Sequence, residues 1–236
     1  MRIDAILNIE VELMTTLPFD AIIFDHDGTL VDTERADLET CRILYREHGV
    51  PFTEEYWARH IVGYLGGYDV VLDDLTGRNG HGPAREDVWK RFKEIWSITS
   101  ESIKLMPGVA GLLPQLHTRG YPMAVATASD REWVKRWFTR LELWPYFQAI
   151  ATSDDVARNK PAPDVYLFAA AQLGVEPERC LVFEDSVPGV TAAKAAGMTV
   201  VVIPTPQTRA MDYGLADAMI DSLEIITAEW IEAFNV

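Results

Sequence analysis

Cysteine, positive charge and long apolar runs are all scarce in this chain. Its two cysteines, Cys41 and Cys180, lie far apart in apolar surroundings, so no disulfide framework is indicated and reduced, buried thiols are expected. No apolar run approaches the ~20 residues that cross a bilayer, and Asp4, Glu10 and Glu12 stand where a signal peptide would be basic. A cytoplasmic protein with no membrane partner is the expectation. Against 36 Asp and Glu there are only 21 Lys and Arg, a formal charge of −15. Such a surface repels nucleic acid and anionic lipid, so an anionic ligand must be drawn in by a local cation, either a metal ion or a few placed lysines. Internal repeats and low-complexity tracts are also lacking.

What remains is an ordinary folding composition, 48% hydrophobic and 24% charged over 236 residues, enough for one sizeable core plus a smaller inserted unit. Short apolar runs rich in branched residues occur at Ala21–Phe24, Met123–Ala126, Ala149–Ala151, Cys180–Phe183 and Thr199–Ile203, each bounded by turn-forming residues. They read as buried parallel strands. Helical patterns at Val109–Arg119, Arg131–Leu141, Asp164–Leu173 and Gly189–Ala196 alternate with them, which gives an α/β fold with a doubly wound parallel sheet.

Between the first strand and the second lie about a hundred residues, far more than a crossover helix needs. Helical segments Leu38–His48, Glu54–His60, Val70–Leu75 and Glu86–Ile98, with glycine-rich breaks at 63–67 and 77–83, predict an inserted α-helical domain. The expected division is a core of residues 18–34 and 104–236, a helical cap of 35–103, and an N-terminal extension and lead-in of 1–17. Met1–Leu13 reads as an extension or an upstream start, with a compact beginning at Met14.

The densest chemical signal is Phe24-Asp25-His26-Asp27-Gly28-Thr29, directly after the first strand. Ligands gather at the carboxyl ends of strands in an open α/β sheet, and two carboxylates leaving a strand two residues apart can address one small volume. Gly28 lets the chain turn sharply after them. Carboxylates so close repel each other, which favours a shared proton or a divalent cation, and hard oxygen ligands suit Mg²⁺. His26, projecting between them on an alternating backbone, is expected to point elsewhere and has no catalytic role.

This stretch resembles the first motif, Asp-x-Asp-x-Thr/Val, of the haloacid dehalogenase-like superfamily. Three further elements resemble that family in order: Thr127-Ala128-Ser129 after the second strand, Lys160-Pro161, and Glu184-Asp185 after the fourth. The surrounding stretches Val165–Ala171 and Val187–Met198 look like the β-phosphoglucomutase-like sugar phosphatases. The resemblance covers about Pro18 to Ile203. It implies a Rossmann-like core with a helical cap, and a phosphatase acting on a small phosphorylated metabolite, such as a sugar phosphate.

Carried over residue by residue, the resemblance makes Asp25 the nucleophile that becomes an aspartyl-phosphate and Asp27 the general acid and base. Thr127 and Lys160 would bind the transferring phosphoryl group, with Ser129 touching the substrate. Asp25, the Asp27 carbonyl and Asp185 would ligate Mg²⁺, with Glu184 holding a metal-bound water. Asp27 argues against dehalogenation, and the late first lysine, Lys90, against phosphonoacetaldehyde hydrolysis. Mutases of this subgroup hold a second phosphate with basic residues, yet Val62–Tyr68 has no Arg or Lys and Asp130 follows Ser129; Asp37 occupies the neighbourhood, near the start of the cap helix, where those enzymes carry a histidine. Hydrolysis is therefore favoured over the alternative, phosphotransfer of the β-phosphoglucomutase type; a non-catalytic binding protein is the alternative of another class. Trp57, Tyr64 and Tyr68 read as cap core that could line the pocket, and Arg59 and His60 as solvated helix charges. No partner protein is indicated, and either a monomer or a dimer is compatible.

Overall fold

A computed structural model of the chain describes residues 18–62, 67–77 and 82–234. The expectations for the N-terminal extension, for Tyr64 and for most of both glycine-rich breaks lie outside these residues.

The chain runs β1 (Ala21–Phe24), α1 (Thr33–Glu47), α2 (Glu54–His60), α3 (Gly67–Thr76), α4 (Arg85–Thr99), α5 (Val109–Thr118), β2 (Met123–Ala126), α6 (Arg131–Arg140) and β3 (Ala149–Ala151). It continues through α7 (Asp164–Leu173), β4 (Cys180–Glu184), α8 (Val187–Ala195), β5 (Thr199–Val202), β6 (Ala218–Met219) and α9 (Ala228–Ala233). The strands form one parallel sheet in the order β3-β2-β1-β4-β5-β6. Every residue of β1, β2 and β4 is buried, because helices cover both faces, and this explains why these strands are continuously apolar rather than alternating.

Alternate residues divide between two apolar layers. Ile22, Phe24, Val125 and Phe183 pack towards α5 and α6, while Ile23, Ala124, Ala126 and Val182 pack towards α7 and α8. In register, Phe24 sits beside Val125 on one side and Phe183 on the other, so the three strands end nearly level. The Phe24 and Phe183 rings stack with centroids 5.3 Å apart, an aromatic pair that adds about 0.5–1.5 kcal/mol to their burial and fixes the two central tips side by side.

Helices α1 to α4 enclose a third cluster, with Leu44, Trp57, Val71 and Phe92 inside. This is the helical cap on the Rossmann-like sheet. Cys41 lies in that cluster and Cys180 in the sheet; both are buried, free thiols. No helix of the described residues is long and apolar enough to cross a membrane.

The observed boundaries differ from expectation in places that matter for the site. Helix α1 begins at Thr33 rather than Leu38, directly after the first motif. Helix α8 begins at Val187, capped by the Ser186 hydroxyl, which accepts from the Gly189 N–H at 3.1 Å. Strand β6 was too short, and its Met219 too exposed, for a pattern to register.

Candidate active site

Each catalytic-looking strand tip is pinned by one backbone hydrogen bond beyond its strand. The Asp25 N–H donates to the Phe183 carbonyl at 3.0 Å, and the Thr127 N–H donates to the Ala151 carbonyl at 3.0 Å. Asn159 donates through Nδ2 to the Ala128 carbonyl at 2.9 Å and so ties the Lys160 loop to the tip of β2. Asp25, Asp27, Thr127, Ser129, Lys160 and Asp185 thereby come together on a cavity of about 700 Å³ between sheet and cap.

Lys160 is the centre of charge. Its buried Nζ donates to Asp25 Oδ1 at 2.5 Å and to Glu184 Oε1 at 2.7 Å, and lies 4.8 Å from the centre of the Tyr166 ring. Burial alone would favour a neutral amine, but the two carboxylates outweigh it and hold the Lys160 pKa above the ordinary lysine value. Burial raises Asp25 to about 7, with Glu184 and Asp27 adding repulsion and Lys160 opposing.

Glu184, expected beside a metal-bound water, has another setting. Oε1 accepts from Lys160 and from the Tyr166 hydroxyl at 2.7 Å; Oε2 accepts from the Asp185 and Ser186 N–H groups, both at 2.9 Å, and from the Ser186 hydroxyl at 3.0 Å. Gly189 presses on this carboxylate from α8, where a Cβ would fall 1.6 Å from Oε1. Glu184 stands behind Lys160, away from the cavity lining, because its acceptors are already engaged. Against burial, Lys160 keeps its pKa low.

Asp185 contrasts with its neighbour. Its Oδ1 has one long contact, 3.4 Å from the Thr29 hydroxyl, and its buried Oδ2 has no hydrogen-bond partner; the same holds for Oε2 of buried Glu34. Burial first, then repulsion from Glu34, Glu184 and Asp25, raises the Asp185 pKa well above the carboxylate range. Glu34 is raised to about 8 by burial first, with the adjoining Asp185 carboxyl opposing and Asp25, Asp27 and Asp37 adding repulsion. Gly28, with φ +84°, lets the chain pass these acids: a Cβ there would lie 2.3 Å from Asp185 Oδ2.

These orphaned, mutually repelling oxygens form a deficit of positive charge, and the donor set fits Mg²⁺. Among the described residues no three His, Cys, Asp or Glu side chains form a ready-made cation cage. Mg²⁺ commonly uses one or two carboxylates, keeps several waters and takes substrate oxygens, so a site built on Asp25 and Asp185 suffices.

Asp27 is surrounded by donors. Its Oδ1 accepts from the Thr33 hydroxyl at 2.7 Å and the Trp133 indole at 2.8 Å, and its Oδ2 accepts from the Ser129 hydroxyl at 2.6 Å. Burial opposes ionisation here, but His26 and the Ser129 and Trp133 hydrogen bonds outweigh it and hold the carboxyl well below its usual range. His26 corrects its expectation in part. Its ring turns into the core and stacks on Phe138 at 6.0 Å, yet Nδ1 remains 3.1 Å from Asp27 Oδ1, without hydrogen-bond geometry.

From the cap, Asp37 faces the cavity and accepts from the Trp57 indole and the Tyr68 hydroxyl, each at 2.8 Å. Asp130 lines the cavity too, and caps α6 by accepting from the Trp133 N–H at 2.8 Å.

The sequence profile of the haloacid dehalogenase-like hydrolases matches residues 22–203. The chain belongs to that family. Hexitol phosphatase B of Escherichia coli K12 is 34% identical over 216 residues, spanning 89% of this chain and 95% of that protein. A phosphorylated carbohydrates phosphatase of Thermotoga maritima is 34% identical over 181 residues, covering 76% of this chain and 82% of the relative. A solved hydrolase of the family from Deinococcus radiodurans, with bound phosphate and sodium, superposes with a TM-score of 0.74 at 30% identity, over 88% of this chain and 93% of that one.

Within this haloacid dehalogenase-like hydrolase, the motif reading passed over Thr33, Glu34, Trp133 and Tyr166. Thr33 and Glu34 had a usable signal, since they open the helix that directly follows the Asp25 motif. Trp133 had only its place three residues after the cap Asp130, and Tyr166 reads from sequence as core.

Proposed function

We propose that the protein is a Mg²⁺-dependent phosphatase that hydrolyses a small phosphomonoester, a sugar phosphate or a derivative of one, through an aspartyl-phosphate on Asp25. The observation that carries this reading is Lys160 held between Asp25 and Glu184 beside Asp185, whose buried Oδ2 has no hydrogen-bond partner. The carbohydrate preference is supported by the named activities of the relatives. In this reading residues 18–34 and 104–236 form the core, and 35–103 form a cap whose closure excludes water. The proposed setting is the cytoplasm.

Asp25, Asp185 and the Asp27 carbonyl would hold Mg²⁺, which supplies charge to draw in and neutralise the phosphoryl oxygens. Lys160, fixed by Glu184, supplies a second positive charge at the same oxygens, and Thr127 and Ser129 supply hydroxyl donors. An Asp25 oxygen attacks phosphorus as the P–O bond to the leaving group breaks, and Asp27 passes a proton to the departing oxygen. Water then attacks the acyl phosphate, Asp27 takes its proton, and phosphate and free Asp25 are released. When the Ser129 hydroxyl turns to the phosphoryl group, Asp27 loses one of its stabilising donors and gains proton affinity, as an acid must.

Hydrolysis is favoured over mutase chemistry because Lys160 is the one basic side chain among the described lining residues, against Asp25, Asp27, Glu34, Asp37, Asp69, Asp130 and Asp185. Among the described lining residues a second phosphate has no further cation to meet. The experiment is phosphate release from p-nitrophenyl phosphate and a panel of phosphometabolites, with Mg²⁺ and after chelation, using Asp25→Asn as the blank. Turnover that needs Mg²⁺ and vanishes in the variant is expected; near-native turnover by Asp25→Asn, or none by the parent protein, overturns the reading.

A further inference from the structure

Four of the chain's seven tryptophans, Trp57, Trp89, Trp96 and Trp133, line this cavity between sheet and cap, together with Tyr68. Trp89, Phe92 and Trp96 recur along one stripe of α4, and their rings are nearly parallel: 12° and 5.1 Å between Trp89 and Phe92, 4° and 6.4 Å between Phe92 and Trp96. Tyr68 packs on Trp89 at 5.7 Å from the α3 side, and Trp133 meets Trp96 at 5.5 Å from the core side. An aromatic wall therefore runs from Asp27, which receives the Trp133 indole N–H, up into the cap.

Much of the polarity of this wall is already committed. The Trp57 indole and the Tyr68 hydroxyl both donate to Asp37, and the Trp133 indole to Asp27, so these donors are not free for a ligand. Ile61, Val62 and Leu72 fill in around them. A leaving group bristling with hydroxyls would lose water there with few partners in return, whereas a planar ring would stack at little cost, because the mutually packed rings are preorganised. The surrounding carboxylates exclude a leaving group that carries its own negative charge.

Building on the phosphatase reading, we infer that the preferred substrate is a phosphorylated sugar bearing a neutral planar ring at the end remote from the phosphate, a nucleoside monophosphate or a close chemical equivalent. The phosphate sits at Asp25, Lys160 and Thr127, and the ring lies against Trp89 and its neighbours in the cap. Trp89 is the residue that sets this specificity, since it is joined to both Tyr68 and the α4 stack.

The test compares kcat/KM for AMP, UMP and FMN with that for ribose 5-phosphate, in the parent protein, Trp89→Ala and Trp89→Phe, with ADP as the charged control. Base-aromatic stacking has a range that corresponds to roughly five- to hundredfold in binding. The parent protein is expected to favour at least one flat-ring ester over ribose 5-phosphate by such a factor and to reject ADP. Trp89→Ala should bring the ratio towards one, chiefly through KM, and Trp89→Phe should keep most of it; thermal unfolding of both variants checks that the cap is intact. Ribose 5-phosphate turned over as well as all three flat-ring esters, or an unchanged ratio in Trp89→Ala, overturns this inference while leaving the phosphatase reading standing. No hydrolysis of any ester, p-nitrophenyl phosphate included, overturns both.

Discussion

Trp133 on α6 gives its indole N–H to Asp27 Oδ1 at 2.8 Å, and the same ring packs on Trp96 of the cap helix α4. A core residue thus orients the proposed acid and base while touching the cap. Trp133→Phe keeps an aromatic ring, a smaller one, and deletes the donor. A hydrogen bond to a charged group is worth about 1.5–3 kcal/mol, so kcat should fall roughly ten- to a hundredfold with a smaller change in KM, as read by steady-state kinetics on p-nitrophenyl phosphate. Unchanged kcat would remove Trp133 from any positioning role.

Lys160 offers a way to separate stability from catalysis. Lys160→Met leaves Asp25 and Glu184 buried without their cation, a loss of about 3–5 kcal/mol for a broken buried pair, and a lowered unfolding midpoint is expected. Turnover should drop by roughly two to three orders of magnitude. Adding Glu184→Gln removes one uncompensated charge, so the double variant should regain part of the midpoint but none of the activity. Recovery of turnover in the double variant would mean that Lys160 serves only to neutralise Glu184.

Asp185, Glu34 and Asp25 repel one another around Gly28, so a divalent cation should stabilise the fold as well as serve the reaction. Saturating Mg²⁺ at about a hundred times its Kd contributes about 2.7 kcal/mol, a rise of several degrees in the midpoint of a chain this size. Asp185→Asn should raise the metal-free midpoint and abolish the Mg²⁺ increment. An undiminished increment in that variant, followed by thermal melts with and without Mg²⁺, would place the cation elsewhere.

Asp37 should make stability depend on pH. Burial raises its pKa to about 6, against the hydrogen bonds from Trp57 and Tyr68, while the unfolded chain titrates near the model-peptide value of about 3.9. The unfolded state therefore releases this proton first. Its contribution to stability is full below pH ~4 and is lost as pH rises through about 6. Asp37→Asn, measured by chemical denaturation from pH 4 to 7, should show a flatter decline than the parent protein. An equally steep decline would assign the dependence to other groups.

Much of this was open to inspection in the linear chain. The runs Ala21–Phe24, Met123–Ala126 and Cys180–Phe183 are apolar at every position because both sheet faces are covered, and that makes them legible without knowing their neighbours. Asp25, Asp27, Lys160 and Asp185 stand at strand tips or beside Pro161, in short local patterns. Trp133 and Tyr166 had no such pattern, since their importance comes from partners distant in the chain, Asp27 and Glu184; Glu34 could be placed just after the first motif but not against Asp185.

Local order along the chain, period and turn chemistry were enough to determine the α/β class, the helical insertion and the acids at the strand tips, because each depends on neighbours within a few residues. Only tertiary packing decided that Glu184 backs Lys160 instead of facing the cavity, that Asp185 and Glu34 keep unpartnered oxygens, and that two tryptophans of α4 line the same cavity as the strand-tip carboxylates. Those outcomes depend on the register of β1 against β4 and on how the cap helices pack over the sheet, and distances between such remote segments are not written in either segment alone.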